Sequence, residues 1–337
     1  MKCPSMISKL LHGDKLYYFV KFSRMKNKSN FPEVIKKRSQ KRMSEKEKYF
    51  NNSRYMRLDI RTPEGMDQCV HPDIIEVSAN NYLMVITPYP FGHDKLENPV
   101  IYRSSDLRAW EYVAGPIDSS DGGLRNHMSD PTIMKDNEGY KCIYRECIYD
   151  SIPQVTNIYM KKSWDGIHWD AERKLVFSGK MQDCDVLSPS ICKVKEESFI
   201  YACLKQNNEI CLALIKNMDF IYSMEKLDIK NMPDGKIPWH VSAIPCEYGI
   251  IFLLTLSDGL GGKNSELYIA LGSQDESFVT IQKKLNIKRE IPEIEAEYRA
   301  SGIIKNEELI IVSSVMYNDN MWGCILFNEG NIKDLFE

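Results

Sequence analysis

The chain has 337 residues, 43% of them hydrophobic, and its 44 Lys and Arg against 47 Asp and Glu leave a net charge of −3. This length can bury a substantial core and exceeds the size at which one simple core stops growing, so we expect one large β domain with an appendage, or two domains. The sequence contains no run of 18 apolar residues, and its N-terminus lacks the pattern of a secretory signal. These absences argue against a membrane span and against secretion, and they predict a cytoplasmic protein.

The first 60 residues differ in charge from the rest of the chain. They hold 16 Lys and Arg against 5 Asp and Glu, which leaves −14 for residues 61–337, and we place a boundary there. The basic stretch 26–48 predicts a solvated arm or a surface helix. The alternative is that residues 1–50 bind an anionic phospholipid surface or an acidic polymer, which would put the protein at the inner membrane face. Nucleic acid is not an expected partner, because the remaining chain is acidic and shows no recognition motif.

The ten cysteines include no C-x-x-C pair. Four of them, Cys142, Cys192, Cys203 and Cys211, lie inside apolar strand-like runs. A free thiol in such a run behaves as a small hydrophobic side chain, so we expect reduced cysteines that serve packing. A disulfide or a structural zinc site is the alternative.

Internal repetition begins after the basic first 60 residues. Five segments share one pattern, in which a polar or small turn leads into a short apolar run, a second polar turn and a longer strand: "HPDIIEVSANNYLMVITPY", "SDPTIMKDNEGYKCIYRE", "LSPSICKVKEESFIYACLK", "WHVSAIPCEYGIIFLLTLS" and "YRASGIIKNEELIIVSSVM". The apolar runs end at isoleucines spaced by 59, 58, 53 and 59 residues, namely Ile74, Ile133, Ile191, Ile244 and Ile303. This period, with little helix signal, predicts a propeller of four-stranded blades in which these isoleucines are inaccessible.

A second repeat lies between the first ones. It places an aspartate in a turn, with an aromatic residue three or four positions later, in "SSDLRAW", "SWDGIHW", "KNMDFIY" and "GSQDESF". Aspartate hydrogen-bonds its own backbone in turns, and the aromatic residue packs between blades. We therefore expect a structural role for the four aspartates, Asp106, Asp165, Asp219 and Asp275.

Together these motifs resemble the five-bladed propeller superfamily of glycoside hydrolases, which includes families 43, 32, 62, 68 and 117. The resemblance is carried by "HPDII", "ENPVIYRSSDLRAW", "SDPTI", "YRE", "SWDGIHW", "LSPSI" and "WHVSAI". It implies an all-β fold, a five-bladed β-propeller over residues 61–337, with residues 1–60 as a basic N-terminal extension. A strand from residues 55–61 is a candidate to complete the last blade.

In a propeller the first strand of each blade lines the central channel, so polar residues entering those strands converge on one funnel. Carboxylates, imidazoles, a guanidinium and an indole in one cleft suit a sugar, whose hydroxyls need polar partners and whose ring stacks on an aromatic plane. The alternative is that each polar residue only caps backbone groups of its own turn. The expected substrate-binding residues are His71, Asn98, Arg145, Asp185, Ser188, Trp239 and Arg299.

The resemblance to family 43 implies an aspartate base in blade one, a modulating aspartate in blade two and a glutamate acid in blade three. Asp130 matches the second role, whereas His71 precedes the blade-one proline and Leu187 stands where the glutamate is expected. Asp73, displaced by two positions, is a candidate base. Glu97 or His240 is a candidate general acid, and Asp185 lies close enough to blade three to reach inward.

We therefore expect a glycosidase acting on an oligo- or polysaccharide, in the making or trimming of a surface polysaccharide. The alternatives are a catalytically inactive carbohydrate-binding or assembly propeller, and a glycosyl-transferring or phosphorolytic enzyme with the same pocket. No cofactor and no metal ligand are assigned from the sequence. Arg145 is the candidate to bind a substrate carboxylate or phosphate, or else pairs locally with Glu146.

Overall fold

A computed structural model describes residues 54–118, 126–148, 155–218, 221–259, 264–318 and 321–337. Within them twenty strands form five four-stranded antiparallel blades, as predicted. The basic segment 1–53 and Asp219 lie outside the described residues. None of the helices in these ranges is both long and apolar enough to cross a membrane.

The blades follow one another along the chain. Blade 1 is β2 (Cys69–Ser78), β3 (Asn81–Pro88), β4 (Val100–Ser104) and β5 (Glu111–Ala114). Blade 2 is β6 (His127–Asp136), β7 (Gly139–Ile148), β8 (Val155–Ser163) and β9 (Lys174–Ser178). Blade 3 is β10 (Asp185–Val194), β11 (Glu197–Gln206), β12 (Glu209–Met218) and β13 (Ile221–Lys230). Blade 4 is β14 (Ile237–Cys246), β15 (Gly249–Ser257), β16 (Glu266–Gly272) and β17 (Phe278–Leu285). Blade 5 is β18 (Ile294–Lys305), β19 (Glu308–Tyr317), β20 (Trp322–Asn331) and β1 (Tyr55–Arg57).

Three short α-helices lie outside the blades: α1 (Gly179–Gln182), α2 (Ile287–Glu290) and α3 (Lys333–Phe336). The loop between β3 and β4 contains two short 3₁₀ turns, Pro90–Gly92 and Asp94–Leu96. The second 3₁₀ turn ends at Glu97, whose backbone carbonyl accepts a hydrogen bond from Met128 N at 3.2 Å. This contact holds the loop against the start of β6.

The ring closes between the last blade and the beginning of the described chain. β1 pairs antiparallel with β20, with Tyr55 opposite Phe327, so the sequence-predicted strand does complete the last blade. Blades 3 and 4 are also joined at their outer edges, where β13 runs parallel to β17. Apolar clusters fill the spaces between consecutive blades.

The first strands of the blades (β2, β6, β10, β14 and β18) contact one another in a closed ring around the axis. The five repeat isoleucines lie on these strands and are all between 3% and 8% exposed, which confirms the prediction from their spacing. Each first strand turns tightly into the second through a residue with positive φ. Gly and Asn adopt this conformation at little cost, and they provide it in four of the five blades, whereas Lys195 provides it in blade 3: Asn80, Gly139, Lys195, Gly249 and Asn306.

Two of the aspartate turns, those of Asp106 and Asp165, have the predicted structural role. Asp106 Oδ1 accepts hydrogen bonds from the backbone N–H groups of Arg108 and Ala109 at 2.8 and 2.9 Å. Asp165 Oδ1 accepts the same bonds from Ile167 and His168 at 2.9 and 2.7 Å. These turns lie at the end of each blade opposite the starts of β2 and β6.

Nine cysteines lie in the described residues, all of them free and most of them buried. Burial raises the pKa of Cys142 and Cys203 well above the ordinary thiol value, so both stay protonated. They pack as small apolar side chains, as expected from their sequence context.

Candidate functional site

The same irregularity occurs where each of the five inner strands enters the channel. The pairing with the second strand slips at Val70/Asp73, Ser129/Thr132, Val186/Ser188, Pro238/His240 and Glu297/Ala300. Such bulges redirect side chains at the edge of a sheet. His71 and Asp130, each followed by proline, have φ values of +59° and +50°, which are costly for residues with a Cβ and are typical of functional sites.

Asp130 is fully buried at the centre of the resulting funnel. Its Oδ1 lies 3.0 Å from His240 Nδ1 and 3.5 Å from both His71 Nε2 and Arg299 Nη1. Its Oδ2 lies 3.0 Å from Arg145 Nη2. Burial alone would raise the pKa of Asp130, but His71, Arg145 and His240 hold it well below the usual range. The carboxylate is therefore ionised.

The two histidines of the funnel are neutral at ordinary pH, because burial lowers the pKa of His71 and of His240 to about 3. The ring of His71 is held from behind. Its Nδ1 lies 3.0 Å from Glu97 Oε2 and 3.2 Å from Thr87 Oγ1. A carboxylate behind an imidazole fixes the orientation of the ring and leaves Nε2 facing the centre.

Glu97 is itself buried, and both its burial and the nearby Asp130 carboxylate raise its pKa well above the ordinary value. Its Oε2 also accepts a hydrogen bond from Thr87 at 3.1 Å. Glu97 and Asp130 are thus two buried carboxyl groups with pKa values pushed in opposite directions.

Three buried nitrogen atoms of the cluster have no hydrogen-bond partner: His71 Nε2, His240 Nε2 and Arg299 Nε. Buried polar atoms are usually satisfied, so these nitrogens indicate a group that binds there. His71, Asp130 and His240 each offer one ligand atom, and the three atoms lie within 4.8 Å of one another. Two neutral imidazoles and a carboxylate form a donor set that suits zinc and similar divalent transition metals.

One wall of the funnel is aromatic. The ring of Tyr298 lies 4.3 Å from that of His240 and 5.4 Å from that of His71, centroid to centroid. Trp322 packs edge-on against Tyr298 at 5.0 Å, and Trp239 Nε1 donates to the Tyr298 hydroxyl at 3.4 Å. These rings offer an apolar face next to the polar cluster, the combination with which proteins bind sugars.

Most of the residues predicted from sequence do converge. The structure brings together at the funnel Asp130, Glu97, His240, His71, Arg145, Trp239 and Arg299. Ser188 is buried at the bulge where β10 enters the channel. Arg145 is already engaged, since its Nε donates to Ser129 Oγ at 3.0 Å and its Nη1 to the Val186 carbonyl at 3.2 Å. Its geometry fits the positioning of Asp130 better than the binding of a substrate anion.

Two predicted residues lie apart from the cluster. Asp73 accepts hydrogen bonds from Ile133 N at 2.7 Å and from the Ser301 hydroxyl at 2.6 Å, so both of its oxygens join inner strands of neighbouring blades. Asn98 donates to the Asp118 carbonyl at 2.7 Å, within a loop contact. These two placements are structural, and the carboxylate of Asp73 is not directed at the funnel. Asp185 begins β10 next to Val186, whose carbonyl accepts a hydrogen bond from Arg145, and its role in substrate binding stays a prediction.

Tyr298 and Trp322 were missed by the sequence reasoning. Tyr298 stands five residues before its repeat isoleucine, the same offset as Trp239, and this register could have identified it. Trp322 begins β20 and packs against Tyr298, which lies on β18 of the same blade. No local motif marks that contact.

The comparisons with known proteins agree on the fold. No family model matches the chain, and no curated protein matches it in sequence. Among solved structures, an N-acetylgalactosamine deacetylase from F. plautii in complex with blood group B trisaccharide matches at a TM-score of 0.61 and 16% identity, covering 85% of this chain and 94% of its own. A family 43 endo-arabinanase from Bacillus licheniformis matches at 0.53 and 14%, covering 78% and 94%.

A Cellvibrio cellulosa α-L-arabinanase mutant matches at a TM-score of 0.54 and 12% identity, with 80% of this chain and 96% of its own covered. At such identities the likeness concerns architecture. The chain therefore shares the five-bladed β-propeller fold of these solved structures.

Proposed function

We propose that this protein is a carbohydrate-active hydrolase that binds a divalent transition metal and removes an acyl substituent from a sugar. The observation that carries the proposal is the group of His71, Asp130 and His240, with unsatisfied imidazole nitrogens directed at one point. Glu97 behind His71 supplies the outer carboxylate typical of metal-binding histidines. The two imidazoles are neutral and the carboxylate is ionised, so none of the three ligands has to lose a proton before a metal binds.

When bound, the metal would lower the pKa of a water molecule and polarise the carbonyl of an amide or ester. The chain's own residues do the rest. Arg145 and Arg299 hold Asp130 in place, and Glu97 with Thr87 holds His71. Hydrolysis adds one water across the acyl bond, so that a carboxylic acid and the free amine or hydroxyl of the sugar leave.

The aromatic wall supports a sugar as the carrier of the acyl group. Tyr298 and Trp239 stand beside the histidines, so a pyranose ring stacked on them would present a substituent to the cluster. Burial raises the pKa of Tyr298 above its ordinary value, so its hydroxyl stays protonated and able to donate a hydrogen bond.

A glycosidase is the second candidate, favoured by the opposed pKa shifts of Glu97 and Asp130, since glycosidic cleavage needs one protonated and one ionised carboxyl group. Its weakness is geometric. Asp130 is surrounded by four cationic or imidazole side chains, Glu97 lies behind His71, and the oxygens of Asp73 are already bonded.

One experiment separates the two candidates. Purified protein, stripped with a chelator and reloaded with Zn²⁺, is assayed on N- and O-acetylated amino sugars and sugars, and in parallel on aryl glycosides. Metal-dependent release of acetate with intact glycosidic bonds supports the proposal. Cleavage of glycosides that persists after stripping supports a glycosidase instead, and turnover of neither class supports an inactive binding propeller.

A further inference from the structure

A second aromatic feature lies at the far end of blade 2 from the funnel. Trp164, in the turn after β8, is 77% exposed, the highest exposure of a large apolar side chain in the described residues, shared only with Met181. Its indole is stacked with the ring of His168, with centroids 6.2 Å apart and planes within 7°. Strand register sets its position: Ser163 lies opposite Tyr140, whereas the funnel residue Arg145 lies further along β7, opposite Ser129 near the start of β6.

Hydrogen bonds fix the turn and one of the two rings. His168 Nδ1 lies 2.6 Å from Asp165 Oδ2, and Asp165 Oδ1 accepts two backbone N–H bonds of the same turn. Gly166 N donates to the Ser163 hydroxyl at 2.9 Å. The turn and the His168 ring, on which the Trp164 indole is stacked, therefore need little ordering when a ligand binds, which lowers the entropic cost of binding.

The corresponding turn of blade 1 shows that folding does not require these rings. It has the same Ser–Asp framework, with Ser104 Oγ 3.1 Å from Asp106 Oδ1, as Ser163 Oγ is from Asp165 Oδ1. Yet "SSDLRAW" carries Ser105 and Ala109 where "SWDGIHW" carries Trp164 and His168. The turn thus forms without an indole or an imidazole at these positions, and the exposed pair is surplus to the structure.

Polar groups border the platform. A Cβ built on Gly139 would lie 3.2 Å from Trp164 Cα, so the turn from β6 to β7 packs directly against it. Glu138 in that turn is paired with Lys162 at 3.1 Å, and both side chains are at least half exposed. A flat aromatic surface with charged hydrogen-bonding groups at its edge suits the apolar face and the peripheral hydroxyls of a pyranose ring.

We infer that Trp164 and His168 form an auxiliary saccharide-binding platform, which holds a stretch of polymer remote from the funnel. The inference rests on the proposed function for the class of its ligand, because a protein that acts on sugars is expected to bind them at further sites. It deepens that function by assigning a polymeric rather than a monomeric substrate. Holding a second stretch of the polymer raises the effective concentration of its substituents at the funnel.

The test is affinity electrophoresis of the full chain through gels containing soluble arabinan, xylan or partially acetylated chitosan. Blade 1 supplies the matched variants, Trp164→Ser and His168→Ala, which recreate a turn that folds. We expect the wild type to be retarded by at least one polymer, and Trp164→Ser to lose up to about tenfold in affinity, the size of a stacking contribution. Turnover of a small acetylated sugar should be unchanged by Trp164→Ser.

Equal retardation of wild type and Trp164→Ser, or no retardation of the wild type by any of the three polymers, overturns the inference. So does a wild type that self-associates in sedimentation while Trp164→Ser is monomeric, because the platform is then a contact between copies. Platform-dependent retardation without any metal-dependent turnover overturns the proposed function while the platform stands. The two failures are therefore distinguishable.

Discussion

Two sets of polar residues line the channel and differ in how well they are satisfied. The channel ring is a set of inner-strand side chains that bond the backbone or a side chain of an adjacent blade: Asp73, Thr132, Ser190 and Ser301. The funnel cluster contains atoms with no partner and comprises His71, Asp130, His240 and Arg299 on the inner strands, Glu97 in the β3–β4 loop and Arg145 on β7. All of these residues except Arg145 are buried, so burial alone does not separate a structural polar residue from a functional one.

The contrast is sharpest between two aspartates. Asp73 accepts two short hydrogen bonds from blades 2 and 5. Asp130 instead faces His71 and His240, whose Nε2 atoms have no hydrogen-bond partner. A carboxylate that joins neighbouring blades stabilises the fold, whereas one beside unpartnered imidazole nitrogens indicates a ligand site.

The largest effect should follow from Asp130→Asn. The amide keeps the volume but removes the charge that holds His71 and His240 around a metal, so we expect a loss of turnover of about 100- to 10,000-fold with the fold retained. Steady-state kinetics at saturating Zn²⁺, beside thermal unfolding, measures both. A variant that unfolds, or that keeps wild-type turnover, would reverse the assignment of Asp130.

Glu97→Gln probes the contact behind His71. The amide can still hydrogen-bond but replaces the carboxyl group that orients the imidazole, and loss of such an outer partner typically weakens metal affinity by about 10- to 100-fold. Competition titration of Zn²⁺ against a chromophoric chelator gives the value. The control is Glu146→Gln, which lies on β7 and pairs with Arg173 outside the cluster. An unchanged Zn²⁺ affinity in Glu97→Gln would remove Glu97 from the site.

Asp73→Ala should show the opposite profile. It leaves the N–H of Ile133 and the hydroxyl of Ser301 without their acceptor, at about 1–3 kcal/mol for each buried unpaired group. We expect a lower free energy of unfolding in urea but metal affinity unchanged. Loss of turnover in well-folded Asp73→Ala would instead support the blade-one base expected from the resemblance.

The smallest effect concerns Glu297, which is satisfied by hydrogen bonds yet still costly to ionise. Its oxygens accept from Leu267 N and Lys288 N at 2.8 and 2.9 Å, and burial raises its pKa to about 7 from 4.5. Between these values the folded chain holds a proton on Glu297 that the unfolded chain has lost, so the contribution of Glu297 to stability falls as pH rises from 4.5 to 7, by up to about 1.4 kcal/mol per pH unit. His71 and His240, with lowered pKa values, act in the opposite sense in both proteins, so urea unfolding at pH 5, 6 and 7 should show the stability of the wild type falling relative to that of Glu297→Gln as pH rises. Equal slopes would contradict it.

The architecture was predictable because the sequence repeats one strand–turn–strand pattern at a nearly regular period. The isoleucine spacing fixes the number of blades and the burial of Ile74, Ile133, Ile191, Ile244 and Ile303. The convergence of strand entrances also followed, since every first strand lines the same channel. These predictions needed only the period and the direction of the strands.

The roles of the individual polar residues could not be read in the same way. Asp73 and Asp130 flank prolines in similar motifs, and only the bulge geometry turns one toward a neighbouring backbone and the other toward the axis. Three ligand atoms from blades 1, 2 and 4 meet through ring closure, which sequence spacing does not encode. That is why a metal centre was not assigned from the sequence.

The central claim is that the funnel holds a metal through His71, Asp130 and His240. The most direct measurement is the metal content of purified, dialysed protein by inductively coupled plasma mass spectrometry, after reloading with Zn²⁺. We use wild type, His240→Ala and the surface control His168→Ala. The account predicts one Zn²⁺ per chain for wild type and for His168→Ala, and substoichiometric metal for His240→Ala. Equal metal content in all three proteins, or none in the wild type, would contradict it.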